Sequence, residues 1–232
     1  MTVSAAGEVR AMFTRIARRY DVMNALMTGG RHHAWRRIAA RAVVAAPPGR
    51  VLDLATGTAD LAFAVRRLDP ARRVVGADFS EGMLTQGRRK LVEAREPGVC
   101  LLAADALALP FPDRTFAAVA SAFLLRNLDD LDAGFAEMRR VTMPGGRVVA
   151  LDIVQPSLPG WSTLFNVYFH RVVPEIGALV AGDRRAYTYL PRSVARFVTP
   201  IELSRRTENA GLRDVRHRRL GLGTIALHIG VV

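Results

Sequence analysis

Residues 50–61 read RVLDLATGTADL, and this stretch decides the fold. Val51 to Leu54 is nearly continuous in apolar residues, which is typical of a strand buried on both faces of a parallel sheet. Small residues, among them Ala55 and Gly57, then form a turn before a helical pattern begins. That helix would direct unpaired N–H groups and its positive dipole end at the turn. The stretch therefore predicts a strand, a turn and a helix that bind a nucleotide-like cofactor.

Two carboxylates follow at the ends of the next apolar runs. Asp78 closes the run 73–77 and lies 21 residues after Gly57, the spacing at which an acidic side chain reaches a ribose diol. Asp105 follows the run 99–103 in the same way. Because parallel strands present their carboxyl ends at one edge of a sheet, we expect both side chains beside the small-residue turn.

The central part of the chain alternates between strand and helix patterns, which predicts an α/β, doubly wound parallel sheet. The predicted strands are 50–54, 73–77, 99–103, 116–122 and 147–153. The predicted helices are an amphipathic one from Val9, then 35–46, 58–68, 81–94 and 130–141. Residues 143–146 predict a turn, and two last strands are expected near 211–217 and 223–230.

A chain of 232 residues can form one substantial core, so we predict a single domain. Within it, N-terminal helices or a lid (1–49) precede a cofactor-binding core (50–153), an apolar insertion (154–200) and a C-terminal helix with strands (201–232). The insertion is more apolar than a connection requires. It predicts either the wall of an apolar pocket or a pair of core helices.

The net charge of +12 is concentrated at two places in the sequence. Residues 1–50 carry nine arginines and two acidic residues, and residues 183–219 carry ten arginines and four acidic residues. Basic regions beside a nearly neutral core favour an anionic partner, either nucleic acid or the headgroups of a membrane surface. Composition alone does not choose between them.

Single residues and the N-terminus add further expectations. Cys100 lies in an apparent buried strand, where a small core residue is expected, and one cysteine provides neither a disulfide framework nor a metal cluster. The adjacent His32 and His33 are expected to point in different directions, in solvated or capping roles. Residues 1–10 lack a signal-peptide pattern, and apolar runs are short, so a cytoplasmic location is expected.

Several motifs together resemble the ubiquinone/menaquinone biosynthesis C-methyltransferase family over nearly the whole chain. They include YDVMN with H..W (20–35), LDLATGTADL (52–61), GADFSEGML (76–84), LPFPD.TF (109–116), FLLRN (123–127) and IGALVAGD..AY.YLP.S (176–193). The resemblance implies a Rossmann-like class I fold, with a mostly parallel seven-stranded sheet, helices on both faces and an antiparallel final strand. It also implies S-adenosyl-L-methionine as the cofactor and no metal.

The resemblance assigns roles to particular residues. Thr58 and Gly57 would contact the methionine end of the cofactor, Asp78 the ribose hydroxyls, and Asp105 with Ala106 the adenine. Ala55 belongs to the same turn.

The implied reaction is methylation of a ring carbon of a reduced naphthoquinol that carries a polyprenyl tail. Arg126, beside Asn127, is expected to stabilise the quinol oxyanion, because an always-charged guanidinium lowers a phenol pKa. Tyr20, Asp21 or a water would accept the proton that the methylated carbon loses.

The apolar tail and the basic regions together indicate a transient partner, an anionic membrane surface on the inner face of the cell membrane. Nucleic acid is not expected as a partner, because the chain has no appended binding module, and a homodimer is one option for the assembly. The alternatives are C-methylation of a polyprenyl benzoquinol, a nucleic-acid methyltransferase and a catalytically silent scaffold. An NAD(P) dehydrogenase is disfavoured, because the turn lacks the third glycine of G-x-G-x-x-G.

Overall fold

The structure, a computed structural model, describes residues 5–232, with side chains from residue 7 onward. In that range seven strands form one sheet: β1 (Val51–Leu54), β2 (Val74–Asp78), β3 (Val99–Ala103), β4 (Phe116–Ala122), β5 (Thr142–Ile153), β6 (Arg213–Leu220) and β7 (Ile225–Val231). Their order across the sheet is β3-β2-β1-β4-β5-β7-β6. The first five pair in parallel, and β7 lies antiparallel between β5 and β6. This is the mostly parallel, seven-stranded sheet that we expected.

The helices of the described range alternate with these strands. They are α1 (Ala5–Ile16), α2 (Tyr20–Thr28), α3 (Arg31–Val44), α4 (Asp60–Leu68), α5 (Glu81–Glu93), α6 (Leu131–Val141), α7 (Trp161–Val167), α8 (Val173–Ala181), α9 (Arg184–Arg196) and α10 (Pro200–Asn209). A π-helical turn, Tyr168–Val172, joins α7 to α8. In the described part of the chain, no helix is both long and apolar enough to cross a membrane.

Two apolar clusters cover the two faces of the sheet. On one face, residues of α3 and α4 pack against alternate strand residues such as Val51 and Ala118. On the other, Phe135 and Leu203, from α6 and α10, pack against Leu52. Successive side chains of a strand point to opposite faces, so the continuous apolar run of β1 supplies both clusters. The helices therefore lie on both faces, as a doubly wound sheet requires.

A third apolar cluster joins two segments that are distant in sequence. Met12 and Met23 of the N-terminal helices pack there against Phe165 and Val173 of the insertion. The N-terminal helices and the insertion therefore pack on each other. Residues 1–4, which belong to the stretch without a signal pattern, lie outside the described residues.

Three predictions from the sequence were wrong in detail. β5 begins at Thr142, not at residue 147, because Thr142 already pairs with Phe116 of β4. Residues 143–146, predicted as a turn, therefore lie within the strand, where the Gly145 N–H donates to the Val232 carbonyl at 2.7 Å. α3 begins at Arg31, four residues before the predicted start. Cys100 is exposed, because β3 is the edge strand of the sheet.

Arg72 anchors the end of α3 to the start of the sheet. Its buried guanidinium donates to the carbonyls of Val44, Ala46 and Pro47 at 3.2, 2.7 and 2.5 Å. These carbonyls lie at or beyond the C-terminus of α3, where helix carbonyls have no partner within the helix and a cation is favoured.

We expect Arg72→Met to lower the free energy of unfolding by about 3 kcal/mol, because three buried or partly buried carbonyls lose a charged donor. Urea denaturation monitored by circular dichroism measures this change. Arg73→Met is the matched control, since Arg73 is exposed and makes one weak bond at 3.4 Å. An equal effect of the two substitutions would contradict the role of Arg72.

Candidate active site and cofactor cleft

A cleft of about 110 Å³ lies at the carboxyl ends of the first four strands. Five of the six predicted cofactor residues line it, namely Ala55, Gly57, Asp78, Asp105 and Ala106. Three strand ends thus converge on one cavity, because parallel strands in neighbouring positions end at the same edge.

The small-residue turn has a left-handed backbone at alternate positions. Ala55, Gly57 and Ala59 have φ angles of 55°, 56° and 70°. Asp53 holds this turn beneath the cleft: one of its carboxylate oxygens accepts the Thr56 hydroxyl at 2.7 Å and the Ala62 N–H at 3.0 Å. Complete burial raises the pKa of Asp53 to about 7, with these hydrogen bonds acting in the opposite direction.

Asp78 connects the turn after β1 to the turn after β2. One carboxylate oxygen accepts the Gly57 N–H at 2.8 Å, and the other accepts the Ser80 N–H at 2.8 Å. Burial raises the pKa of Asp78, although these backbone bonds lower it. Each carboxylate oxygen can accept a further hydrogen bond, so both remain able to bind the hydroxyls of a ribose.

Thr58 and Asp21 do not line the cofactor cleft and are hydrogen-bonded to each other instead. The Thr58 hydroxyl donates to Asp21 at 2.7 Å, and Thr58 is only 2% exposed. The second carboxylate oxygen of Asp21 accepts the Lys90 ammonium at 2.9 Å, and Lys90 also donates to Asp60 at 2.5 Å. Asp21 therefore fastens α2 to the cofactor turn. It lines neither the cleft nor the cavity described next, so the structure argues against Asp21 as a proton acceptor.

A larger cavity, of about 270 Å³, adjoins the cleft. Its walls are mainly aromatic and aliphatic and include Met12, Ile16, Trp35, Trp161, Phe165, Tyr168, Phe169 and Leu190. The cleft and the cavity have three residues in common, Phe13, Tyr20 and Phe123. The insertion therefore walls an apolar pocket, one of its two predicted roles, and Tyr20 lies where the two cavities meet.

Arg126 and Asn127 hold the strand end that separates the two cavities. Arg126 donates to the Phe123 carbonyl at 2.8 Å, and the Asn127 amide donates to the same oxygen at 3.1 Å. Phe123 has a φ of 69°, a strained conformation for a bulky residue. Asn127 also accepts the Tyr189 hydroxyl at 3.1 Å. Arg126 and Asn127, predicted as catalytic residues, thus also stabilise the backbone at Phe123.

Arg126 lines the larger cavity, at the crevice where we expected it. It is, however, not an isolated cation. Its guanidinium forms a 2.6 Å ion pair with Asp152, and the side chains of Arg126 and Asp152 are 6% and 2% exposed. Sequence analysis missed Asp152 because this partner comes from the neighbouring strand, 26 residues away.

His32 is a further residue of the larger cavity that the sequence did not assign to the site. It is 1% exposed, and its ring centroid lies 3.9 Å from that of His33, so the two histidines do not point apart as expected. Ligand atoms of His32, His33 and Asp60 lie within 4.8 Å of one another. Because Asp60 is already paired with Lys90 and lies 3.8 Å from Arg36, two cations oppose a metal ion there, and we assign none.

The fold and the site together define a class of protein. A Rossmann-like sheet presents a carboxylate-bearing cleft beside an apolar cavity, and three aromatic residues line both. This arrangement is that of an enzyme which brings a nucleotide-like cofactor against an apolar substrate.

Comparisons with known proteins identify the family. The model of the ubiE/COQ5 methyltransferase family matches residues 1–232. A demethylmenaquinone methyltransferase of Thermus thermophilus is 45% identical over 219 residues, which are 94% of this chain and 99% of that protein. A ubiquinone/menaquinone biosynthesis C-methyltransferase UbiE of Methylobacterium nodulans is 40% identical over 227 residues, 97% and 90% of the two chains.

Solved structures agree on the fold. A SAM-dependent methyltransferase from Aquifex aeolicus superposes with a TM-score of 0.58 at 19% identity, covering 79% of this chain and 82% of that chain. The chain belongs to the ubiE/COQ5 methyltransferase family. It is a methyltransferase with a Rossmann-like class I fold, and its cofactor is S-adenosyl-L-methionine, as the resemblance implied.

We expect Asp78→Ala to weaken the binding of S-adenosyl-L-methionine by about 1.5 to 3 kcal/mol, roughly 10- to 150-fold. The substitution removes the acceptors that we expect the ribose to use, and it releases the Gly57 N–H. Asp78→Asn, which keeps one acceptor oxygen, should lose less. Isothermal calorimetry measures both, with Asp113→Ala on a distant exposed turn as the control. Unchanged affinity in Asp78→Ala would remove this residue from the site.

Proposed function

We propose that this enzyme transfers the methyl group of S-adenosyl-L-methionine to a ring carbon of demethylmenaquinol, the last step of menaquinone biosynthesis. The observation that carries the proposal is the junction of the two cavities at Tyr20 and Phe123. One cavity has the carboxylates that suit a nucleoside, and the other has the apolar walls that suit a prenylated ring. The names of the relatives support the same reaction.

The cofactor supplies an electrophilic methyl group, so the protein has to position the ring carbon and exclude water. The aromatic residues that line both cavities suit both tasks, because they are bulky, apolar and partly buried. Asp78 and the turn at Gly57 would hold the ribose and the methionine end, and Asp105 with Ala106 the adenine. Tyr20 would contact the ring where the cavities meet.

The direct experiment incubates the purified enzyme with S-adenosyl-L-methionine and a chemically reduced demethylmenaquinone, and detects the methylated product by mass spectrometry. A prenylated benzoquinol in a parallel reaction distinguishes the ubiquinone pathway substrate. Methylation of the naphthoquinol with a higher kcat/KM supports the proposal. Preference for the benzoquinol, or no product with either ring, contradicts it.

Arg126 is the residue that we propose to stabilise the quinol oxyanion. Its guanidinium is fixed by Asp152 and Phe123, and it lines the larger cavity. A fixed cation stabilises the reacting oxyanion more than the neutral quinol and therefore raises kcat. The Asp152 carboxylate offsets part of this charge, so the field at the ring depends on both residues.

We expect Arg126→Ala to lower kcat by roughly two to three orders of magnitude, while the affinity for S-adenosyl-L-methionine changes little. Arg126→Lys should restore only part of the rate, because an ammonium cannot make the same fork of hydrogen bonds. The rate of the alanine variant should also rise more steeply with pH, as solvent supplies the oxyanion. Full turnover in Arg126→Ala would assign the role to another residue.

We also propose that the enzyme works at an anionic membrane surface, from which it takes its prenylated substrate. Leu222 and Arg31 both line the larger cavity and are exposed, so an apolar and a basic side chain lie at its mouth. Leu222 is 60% exposed, and its φ of 56° keeps this leucine in a strained turn between two glycines. Leucine at such a position suits contact with acyl chains, and arginine suits contact with lipid headgroups.

Vesicle sedimentation tests this proposal. The protein should bind vesicles that contain anionic lipid, and binding should fade with salt, because each arginine near such a surface contributes about 1 kcal/mol. Leu222→Asn should weaken binding several-fold without straining the backbone, since asparagine tolerates a positive φ. Val92→Asn is the control, as Val92 is 77% exposed but does not line the larger cavity. Equal binding to neutral and anionic vesicles would contradict the proposal.

A further inference from the structure

The hydrogen bonds around His32 determine which of its ring nitrogens carries a proton. The Thr28 hydroxyl donates its single proton to the Asn24 carbonyl at 2.6 Å. The same oxygen lies 2.9 Å from Nδ1 of His32, so there it can only accept. Nδ1 therefore bears the hydrogen, and in the neutral ring Nε2 is left with a free lone pair.

This Nε2 is buried and has no hydrogen-bond partner among the protein atoms of the described residues. His32 is 1% exposed and lines the larger cavity together with Arg126 and Tyr20. Buried acceptors are normally paired, so an unpaired one on a residue that lines a cavity is a candidate position for a ligand's donor group. A quinol offers such a donor, its ring hydroxyl.

The ring of His32 is neutral in the free enzyme, so its Nε2 keeps a lone pair. Burial lowers its pKa to about 4, and the positive charges of Arg36 and His33 act in the same direction. Asp60 and Asp21 act in the opposite direction, but they do not outweigh the burial. At pH 7 the ring is therefore unprotonated in the free enzyme.

We propose that His32 is a catalytic residue whose Nε2 accepts the proton of the quinol hydroxyl during methyl transfer. The proposal rests on the proposed quinol substrate. It concerns the hydroxyl proton. The proton of the methylated carbon goes to water and not to Asp21, both of whose carboxylate oxygens are occupied by Thr58 and Lys90.

The proton balance of the reaction is complete with this residue. As His32 takes the hydroxyl proton, the ring carbon forms its bond to the methyl group and the methyl–sulfur bond breaks, leaving the electron pair on sulfur. The ring becomes a ketone whose methylated carbon still carries its hydrogen. Loss of that hydrogen to water as a proton restores the aromatic ring, and His32 returns its proton to the ring oxygen. One proton is released in total, and His32 is unchanged.

The principal test compares His32→Asn with His33→Asn. Asparagine at position 32 can still donate to Thr28 in place of Nδ1, but it offers no base, and His33 is exposed and lines neither the cleft nor the larger cavity. We expect kcat of His32→Asn to fall about 100-fold at pH 7, with the affinity for S-adenosyl-L-methionine within threefold of wild type. His33→Asn should lower kcat far less than His32→Asn, because it removes only a ring contact with His32.

Two readouts separate a proton acceptor from a merely structural residue. The deficit of His32→Asn should shrink as pH rises from 6 to 9, because the quinol then ionises without help, whereas a packing defect would not follow pH. Added imidazole should raise the rate of His32→Ala at least tenfold. A pH-independent deficit without rescue, or wild-type kcat in His32→Asn, would overturn the proposal.

A measurement on the unmutated protein covers the case in which the variants do not fold. In ¹⁵N-labelled enzyme at pH 7, NMR should find the hydrogen of His32 on Nδ1 and none on Nε2. A hydrogen on Nε2 would overturn the proposal. Failure of the wild-type enzyme to methylate any quinol would instead refute the proposed function, so the two failures are distinguishable.

Discussion

The active site depends on a phenylalanine held in a backbone conformation that its side chain disfavours. Phe123, at a φ of 69°, directly follows β4 and lines both cavities. Its N–H donates to the Leu151 carbonyl at 2.7 Å, and its own carbonyl accepts from Arg126 and Asn127. Strain of this kind persists only where neighbouring groups fix it, and it is common at functional sites.

The hydrogen bonds that hold Phe123 also hold Arg126, the residue that we propose to stabilise the quinol oxyanion. Arg126 cannot move without releasing the Phe123 carbonyl and leaving the buried carboxylate of Asp152 unpaired. Removal of one partner of a buried ion pair is costly, so the position of the guanidinium is fixed before a substrate enters. The same hydrogen bonds therefore fix both the position of Phe123 between the two cavities and the position of the Arg126 charge.

The central sheet was predictable from sequence because its signals are local. Three features lie within 30 residues: the apolar run of β1, its small-residue turn and the spacing to Asp78. Each of them indicates a particular local structure. The start of β5 was not predictable, since Thr142 pairs with Phe116 of the neighbouring strand β4. Cys100 was misjudged because strand periodicity does not reveal which strand lies at the edge.

The candidate site was predictable only where its sequence signals are local. Five of the six predicted cofactor residues line the cleft, because strand ends locate them, whereas the partners of Asp21 and Arg126 come from distant segments that pack only in the folded chain. His32 was missed because helical spacing does not tell what covers a helix. A signal was nevertheless present: Thr28 precedes His32 by four residues, the spacing at which side chains on a helix meet.

Lys90, which ties Asp21 of α2 to Asp60 of α4, is the single lysine of the chain. Apart from the amino terminus, amine-reactive reagents would therefore find one primary amine in the whole protein. Its ammonium is ion-paired, and its side chain is 30% exposed, as long as the N-terminal helices rest on the cofactor turn, because Asp21 belongs to those helices. The rate of acylation at this one position would thus report how often the N-terminal helices lift from the core. Lys90 would therefore serve as a chemical probe for movement of the N-terminal helices.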